Sequence, residues 1–353
     1  HRLHPPLTIP ILSHNPLTDA PTRHILLPGR FMFLKQFAEF NSICIQCHDS
    51  PDADAMGAAF GLYAYFMNLG KKVNLIYAGE HQITKPSLKL MVEHLGIPIR
   101  YVNEMPEHDI LITVDCQYEG GNITSMPVKK VAMVDHHPIC VETDEWCFIF
   151  PEFGSCCTVV WELLLEAGYP VNANWQVATA LYYGLYSDTS SLSEIYYPAD
   201  RQMRDSLQIN RECLDEMIHA NLQRQDLEIA GEALSHYYYD EEKRFALLHT
   251  KPCDPNLLGV ISDMVNCVAT VDCCVVYNET PIGYKMSVRS AKKNLPASDL
   301  AEKVSCGIGA GGGHANKAGG MLMKHMLATQ YPGEDVKEIL IQRIREFIRE
   351  AAC

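Results

Sequence analysis

Positive charge is scarce in this chain. Across 353 residues, 29 lysines and arginines face 43 aspartates and glutamates, a net charge of −14 with the 15 histidines neutral. A protein that grips many phosphates of a long nucleic acid spreads basic side chains over one face, so this balance argues against a long nucleic-acid track. A short anionic ligand stays open, because bound divalent cations invert the local charge. Long apolar runs are also missing: no stretch reaches the roughly 20 residues that a membrane span needs. The first residues, HRLHPPLTIPILSHNPLTDAPTRHILLPG, hold no basic region followed by an apolar block, so they do not read as a secretion signal. Rich in proline and starting at His1, residues 1–30 read as an irregular arm, either cut short or appended. Internal repeats and low-complexity tracts are absent as well.

What is plentiful is apolar material, 47% of residues against 20% charged, enough for two cores rather than one. Cysteine is plentiful too, with 14 copies scattered along the chain, several inside apolar stretches. Cys44 and Cys47 in the strand-like run SICIQC would point to opposite faces, poor geometry for a shared metal. They read as buried, reduced thiols of a cytoplasmic protein.

From about residue 31 the pattern is regular. FMFLKQFAEF has the spacing of an amphipathic helix, and SICIQC that of a strand. A helix over about 55–69 and the strand KKVNLIYAG follow, then a helix PSLKLMVEHLG that opens on proline and closes on glycine. DILITVD and KKVAMVD are short, continuous and β-branched, as parallel strands buried on both faces are. The fold class that follows is α/β: an N-terminal open, mainly parallel sheet with flanking helices over 31–195. A helical linker over 196–224 leads to a smaller C-terminal α+β domain over 225–353, with a cleft between the two domains. In the second domain RFALLHT, ATVDCCVVYNE and IGYKMSVRS read as strands. A glycine-rich loop follows, and DVKEILIQRIREFIRE closes the chain as a helix with one apolar stripe.

The chemistry lies where these strands stop. SICIQC runs into His48, Asp52 and Asp54; DILITVD ends on Asp115; KKVAMVD ends on Asp135, followed by His136 and His137; the helix ATALYYGLYSD delivers Asp188. In an open α/β sheet, ligands gather at the carboxyl edge of the strands. Any one aspartate after a strand serves equally well as a turn or cap residue. Four element ends carrying aspartate or histidine are harder to explain that way. Two adjacent imidazoles beside a carboxylate also need several hydrogen-bond partners if they are core. Carboxylates mixed with imidazoles and no thiolate favour manganese or magnesium over a cysteine-bound zinc. A carboxylate can bridge two cations about 3.5–4 Å apart, an arrangement suited to in-line attack on phosphorus.

With HDSPDADAMG, TVDC, VDHH and YSDT in this order, the chain resembles the DHH phosphoesterase superfamily. GYKMSVRS followed by IGAGGGHANKAGG is similar to the DHHA1 domain of one of its branches. The likeness runs over about 31–350 and is nearest in layout to the nanoRNase and pAp phosphatase type, often called NrnA-like. The resemblance implies two manganese ions, with magnesium a substitute. One would be held by His48, Asp52 and Asp115; the other by Asp54, Asp115, His136 and Asp188, with Asp115 as the bridge. It implies that His137 faces the scissile phosphate and that Asp135 orients the histidines. Asp49 is expected outside the ligand set. In the second domain Arg289 would clamp a phosphate, Gly311, Gly312 and Gly313 would let backbone approach the ligand, and His314 would contact it. Read without the family, Arg289 could equally pair with a neighbouring acid, and GGGH could be a plain flexible loop. The chain departs from the pattern at Thr189-Ser190-Ser191-Leu192, where relatives commonly have Thr-Gly-x-Phe, and at Lys317, where a small residue is usual.

The expected activity is hydrolysis of phosphodiester or phosphomonoester bonds in short nucleotides such as pApA, pGpG or pAp. A pyrophosphatase or exopolyphosphatase with the same site is the alternative, and a catalytically silent nucleotide-binding module a third. No membrane partner is expected, and a homodimer stays open.

Overall fold

The computed structural model describes residues 33–351. The arm read over 1–30 lies outside them. The described residues divide into two compact units after Met217.

The first unit is built on six strands: β1 (Ser42–Cys47), β2 (Lys72–Tyr77), β3 (Ile99–Tyr101), β4 (Ile110–Val114), β5 (Val131–Asp135) and β6 (Cys147–Ile149). They form one sheet in the order β3-β2-β1-β4-β5-β6, and every pairing is parallel. β4 is buried at all five positions, as a central strand covered on both faces must be. Helices α1 (Ala53–Asn68), α2 (Pro86–Leu95), α3 (Cys156–Glu166), α4 (Trp175–Asp188) and α5 (Pro198–Ser206) belong to this unit, and α6 (Arg211–His219) carries the chain across the division. The turn after α2 is closed by Gly96 at φ 66, a left-handed position that glycine fills without strain.

α1 and α4 approach unusually closely. A Cβ on Gly57 of α1 would stand 2.5 Å from the Ala180 carbonyl of α4. That proximity brings the end of α4, with Asp188, beside the start of α1, with Asp54. The stretch FMFLKQFAEF forms a 3-10 helix over Phe33–Glu39 in place of the expected α-helix. It is held by aromatic packing rather than by helix propensity: Phe37 meets Phe66 and Trp146, each with ring centroids 5.6 Å away.

The second unit holds α7 (Arg224–Ser235), β7 (Tyr238–Asp240), β8 (Phe245–Thr250), α8 (Pro255–Asn266), β9 (Cys273–Glu279), β10 (Gly283–Ser290), α9 (Ala297–Ser305), β11 (Gly309–Gly313), β12 (Lys317–Met323), α10 (Lys324–Gln330) and α11 (Val336–Ala351). Its sheet runs β11-β12-β10-β9-β8-β7, antiparallel except for β8 and β9. One face packs on Leu300 and Val304 of α9 and Leu340 and Ile344 of α11, the other on Ala233 of α7 and Leu258 and Ile261 of α8. The glycine-rich stretch expected as a loop is strand β11, hydrogen-bonded along β12. Glycine is required there by α9: a Cβ on Gly311 would lie 2.6 Å from the Ala301 carbonyl. Among the described residues, no helix is long and apolar enough to cross a membrane.

Candidate metal centre

Parallel pairing puts the carboxyl ends of β1, β4 and β5 side by side on one edge of the first sheet. Each of these strands hands its next residues to that edge, as the topology of an open α/β sheet dictates. After β1 come His48 and then Asp52, which caps α1: its Oδ1 accepts from the Asp54 and Ala55 backbone N–H groups at 2.9 and 3.1 Å. The cap and site readings of this aspartate are therefore not exclusive. Asp54 lies in the first turn of α1, fully buried. Asp115 follows β4 with φ 60, a left-handed conformation that aspartate tolerates better than most residues and that ends the strand abruptly. Asp188 is the last residue of α4.

The structure brings His48, Asp52, Asp54, Asp115, Asp135, His136, His137 and Asp188 into one cluster. Ligand atoms of His48, Asp52 and Asp115 all lie within 4.8 Å of one another, and the same holds for Asp54, His136 and Asp188. Asp115 joins the two groups, with Oδ2 3.7 Å from His48 Nε2 and Oδ1 3.3 Å from His136 Nε2. His136 Nε2 is also 3.3 Å from Asp188 Oδ2 and 3.7 Å from Asp54 Oδ2.

Three features of this donor set fit divalent cations. First, His136 Nδ1 is 3.1 Å from the Phe153 carbonyl oxygen, which can only accept, so Nδ1 carries the proton. In the neutral ring Nε2 then presents a lone pair toward three carboxylates, an orientation favoured in metal-ligating histidines. Second, Asp115 is 2% exposed, and its Oδ1 has no hydrogen-bond donor among the described residues. A buried carboxylate oxygen without a donor is costly unless a cation faces it. Third, with protons alone to balance the charge, Asp54 and His48 are displaced from their usual ranges. Burial, reinforced by the Asp115 charge, pushes the Asp54 carboxyl well up. Burial opposes protonation of His48, but Asp115 and Asp52 outweigh it and raise this imidazole to about 9.

Asp54 is itself held at the N-terminus of α3, where Oδ2 accepts from the Cys156 N–H at 2.6 Å and Oδ1 from the Cys157 N–H at 2.8 Å. The helix end thus fixes the carboxylate and favours its charged form. The Cys157 thiol donates to the Asp54 carbonyl at 3.3 Å, and burial drives both thiols well above their usual range, which keeps thiolate out of the donor set.

Asp135 falls within 4.8 Å of the Asp115 and His137 ligand atoms, but both its oxygens already serve neighbouring donors. Its Oδ1 accepts from the His136 backbone N–H and from His137 Nδ1, both at 2.8 Å. His137 therefore turns Nε2 outward, and its side chain is 37% exposed, against 2% for His136. The sequence reading missed the residue behind this pair. Gln117, 2% exposed, donates Nε2–H to Asp135 Oδ2 at 2.8 Å and to the Pro138 carbonyl at 3.0 Å, while its Oε1 accepts from the Cys140 N–H at 2.8 Å. A glutamine two residues past TVDC carries no local signal for this role. Asp49 spends both carboxylate oxygens on Thr124, accepting from its N–H at 2.7 Å and its hydroxyl at 2.8 Å. Beyond Asp188, the departure noted at 190–192 has a structural form: Ser190, Ser191 and Leu192 have φ of 50, 59 and 69 in succession. Left-handed conformations cost a non-glycine residue about 1–2 kcal/mol each.

In the second unit, Arg289 of β10 is 12% exposed. Its Nε donates to Asp263 of α8 and its Nη1 to Ser287 Oγ at 3.0 Å, so this arginine has the acidic neighbour that the strand reading left open. Gly311, Gly312 and Gly313 lie in β11, and His314 begins the turn, its N–H donating to the Lys317 carbonyl. The register places Arg289 opposite Lys317 and Gly313 opposite Ala318, so Arg289 and the GGGH segment share one end of this sheet.

Residues 42–185 match the profile described as the DHH family, N-terminal domain. The first unit carries a DHH-family domain. The chain is also 27% identical to an uncharacterized protein of Mycoplasma pneumoniae over 156 residues, 44% of this chain and 46% of that one. It spans at most about half the length of the curated relatives it matches. Among solved structures, an exopolyphosphatase-related protein from Bacteroides fragilis superposes with a TM-score of 0.67 at 19% identity, over 91% of this chain and 96% of the other. RecJ of Thermus thermophilus, solved with Mn2+, gives 0.52 at 16% identity over 91% and 54%. At such identities these neighbours establish the fold alone.

Proposed function

We propose that this DHH protein is a manganese-dependent phosphohydrolase of short nucleotides, NrnA-like in type, that works in the cytoplasm. The observation that carries this reading is the arrangement of two ligand groups, His48/Asp52/Asp115 and Asp54/His136/Asp188, joined through the two oxygens of Asp115. Divalent cations held there would supply Lewis acidity and neutralise charge building on phosphoryl oxygens. The chain's own residues do the rest. Asp135 locks His137 in the tautomer that directs Nε2 outward, where it can meet a phosphate oxygen. Asp54 and Asp115, both buried, make the inner face of the site negatively charged. Arg289 and the GGGH segment are assigned to the far phosphate or sugar of the substrate.

The acidic balance of the chain supports a short substrate. An exopolyphosphatase is the second reading, suggested by the name of the Bacteroides fragilis neighbour. Phosphate and nucleotide release from pApA, pGpG, pAp, pyrophosphate and polyphosphate, each with manganese and with a chelator control, separates the two. Dinucleotide or pAp turnover that the chelator abolishes is the expected result. Rapid pyrophosphate or polyphosphate turnover with untouched nucleotides would overturn the nucleotide assignment. Asp188→Asn should remove most turnover, and unchanged release in that variant would overturn the metal assignment.

A further inference from the structure

The second unit contains a cavity of about 750 Å3 that the proposed activity does not use. It opens where the sheet is least covered. β7 pairs with β8 only along Phe245–Leu247, so His249 and Thr250 extend past the edge strand, beside the end of α7 and the start of α11. This corner lies at the opposite end of the sheet from Arg289. Arg289 pairs with Cys274, whereas Tyr284 pairs with Glu279, five residues away along β10. At strand rise that separation is about 17 Å.

The cavity is walled by rings. Tyr277 is packed between His249 and Tyr284, with centroids 5.0 and 6.3 Å away. Tyr277 is 4% exposed and lines the cavity, yet its hydroxyl makes no hydrogen bond to any described residue. The ring is buried while the oxygen is left for whatever occupies the cavity. The charges around it are unbalanced: Glu232, Glu279, Glu334 and Asp335 line the cavity against Lys251 and Lys337. Lys251 is consumed by Glu232 at 2.5 Å, and Lys324, reaching in from α10, by Glu279 at 2.6 Å. Lys337 lies over the Tyr238 ring, 5.8 Å from its centroid. Among the described residues, the Asp335 carboxylate accepts only from the Lys337 backbone N–H, at 2.7 Å, and the Glu334 carboxylate has no partner.

We infer that this cavity is a second ligand site, built for a small organic cation: a primary amine or guanidinium on a short aliphatic chain. Such a group gives the Tyr277 oxygen a charged donor, gives the Glu334 and Asp335 carboxylates a counter-charge, and lies against tyrosine faces that attract cations. Phosphates and nucleotides are disfavoured by the sign of the lining.

Calorimetric titration of the full chain, saturated with manganese so that the acidic metal centre is filled, tests this. Agmatine and spermidine are the probes, with ADP and inorganic phosphate as controls. The expected result is one agmatine or spermidine per chain with a Kd below about 1 mM. A hydrogen bond to a charged donor is lost in Tyr277→Phe, so binding should weaken at least about 10-fold. Because the hydroxyl has no internal partner, that variant should melt as the parent does. Glu334→Gln should also weaken binding. Absence of heat with both amines would overturn the inference. So would amine binding that survives both substitutions undiminished, since the amine would then lie elsewhere, or ADP or phosphate binding that Tyr277→Phe weakens.

Discussion

Replacing Gln117 with methionine isolates the support behind His137. The substitution keeps the length and approximate volume of the side chain and removes its amide. Four hydrogen bonds are lost: to Asp135 Oδ2, to the Pro138 carbonyl, and from the Cys140 N–H and Cys140 thiol. Residues 138 and 140 are exposed, so water replaces the last three at little cost. The Asp135 carboxylate is fully buried, and no solvent reaches the oxygen that Gln117 served. A hydrogen bond to a buried charged group contributes about 1.5–3 kcal/mol, and losing it leaves the desolvation cost uncompensated. For a domain of this size that corresponds to a fall in melting temperature of about 4–10 °C. Asp135 keeps its Oδ1 contacts to His136 and His137, so the loop stays folded but less fixed. Partners that orient a metal site's residues typically account for about 10–100-fold in activity or metal affinity. Thermal melts together with manganese-dependent nucleotide turnover measure both effects, and the loss should appear in kcat with KM nearly unchanged. Gln117→Glu should be worse, because it sets a second carboxylate against Asp135. A methionine variant that melts within about 1 °C of the parent and turns over at full rate would show that the chain Gln117–Asp135–His137 has no functional weight.

Other outcomes follow from the same geometry. Manganese at 100 times its Kd should stabilise the first unit by about 2.7 kcal/mol, a melting shift of roughly 5–10 °C that EDTA reverses and His48→Ala diminishes; an unchanged melt on titration refutes the cation site independently of activity. Gly184→Ala should destabilise by about 1–3 kcal/mol and loosen metal binding, since its Cβ would clash with Cys157 Sγ and press on the Asp54 backbone; denaturant melts and manganese titration read both. Burial works to raise the Asp240 carboxyl, but the Lys243 N–H and the Arg345 guanidinium outweigh it and hold it below the usual carboxylate range. That depressed value adds stability above the unfolded pKa near 4, lost as pH falls through the folded value. Asp240→Asn should therefore melt lower than the parent at pH 7, by about 1 kcal/mol given the half-exposed arginine, with the gap closing as pH falls through the folded value. A gap that widened in acid would reverse the sign of this argument.

What the sequence disclosed depended on the range of the forces involved. His48, Asp115 and Asp135 stand at strand ends, and a parallel sheet aligns strand ends wherever the connections run, so their convergence was readable from local pattern alone. The short strands β3 and β6 were not, because three residues carry no periodicity and their strand state is imposed by hydrogen bonds to β2 and β5. The stretch Gly309–Gly313 shows the same limit from the other side. Glycine suits a loop and a tightly packed strand alike, and the deciding contact is the Ala301 carbonyl on a helix that local composition cannot place. Gln117 and Tyr277 mark where local reading ends altogether. A glutamine becomes part of a site only through a carboxylate 18 residues on. A tyrosine becomes a candidate ligand only because neighbouring strands bury its ring and leave its hydroxyl facing a cavity. Residues that hold charge at chain-local turns are thus legible early, whereas residues that hold those residues in place are defined by the folded neighbourhood and become visible only within it.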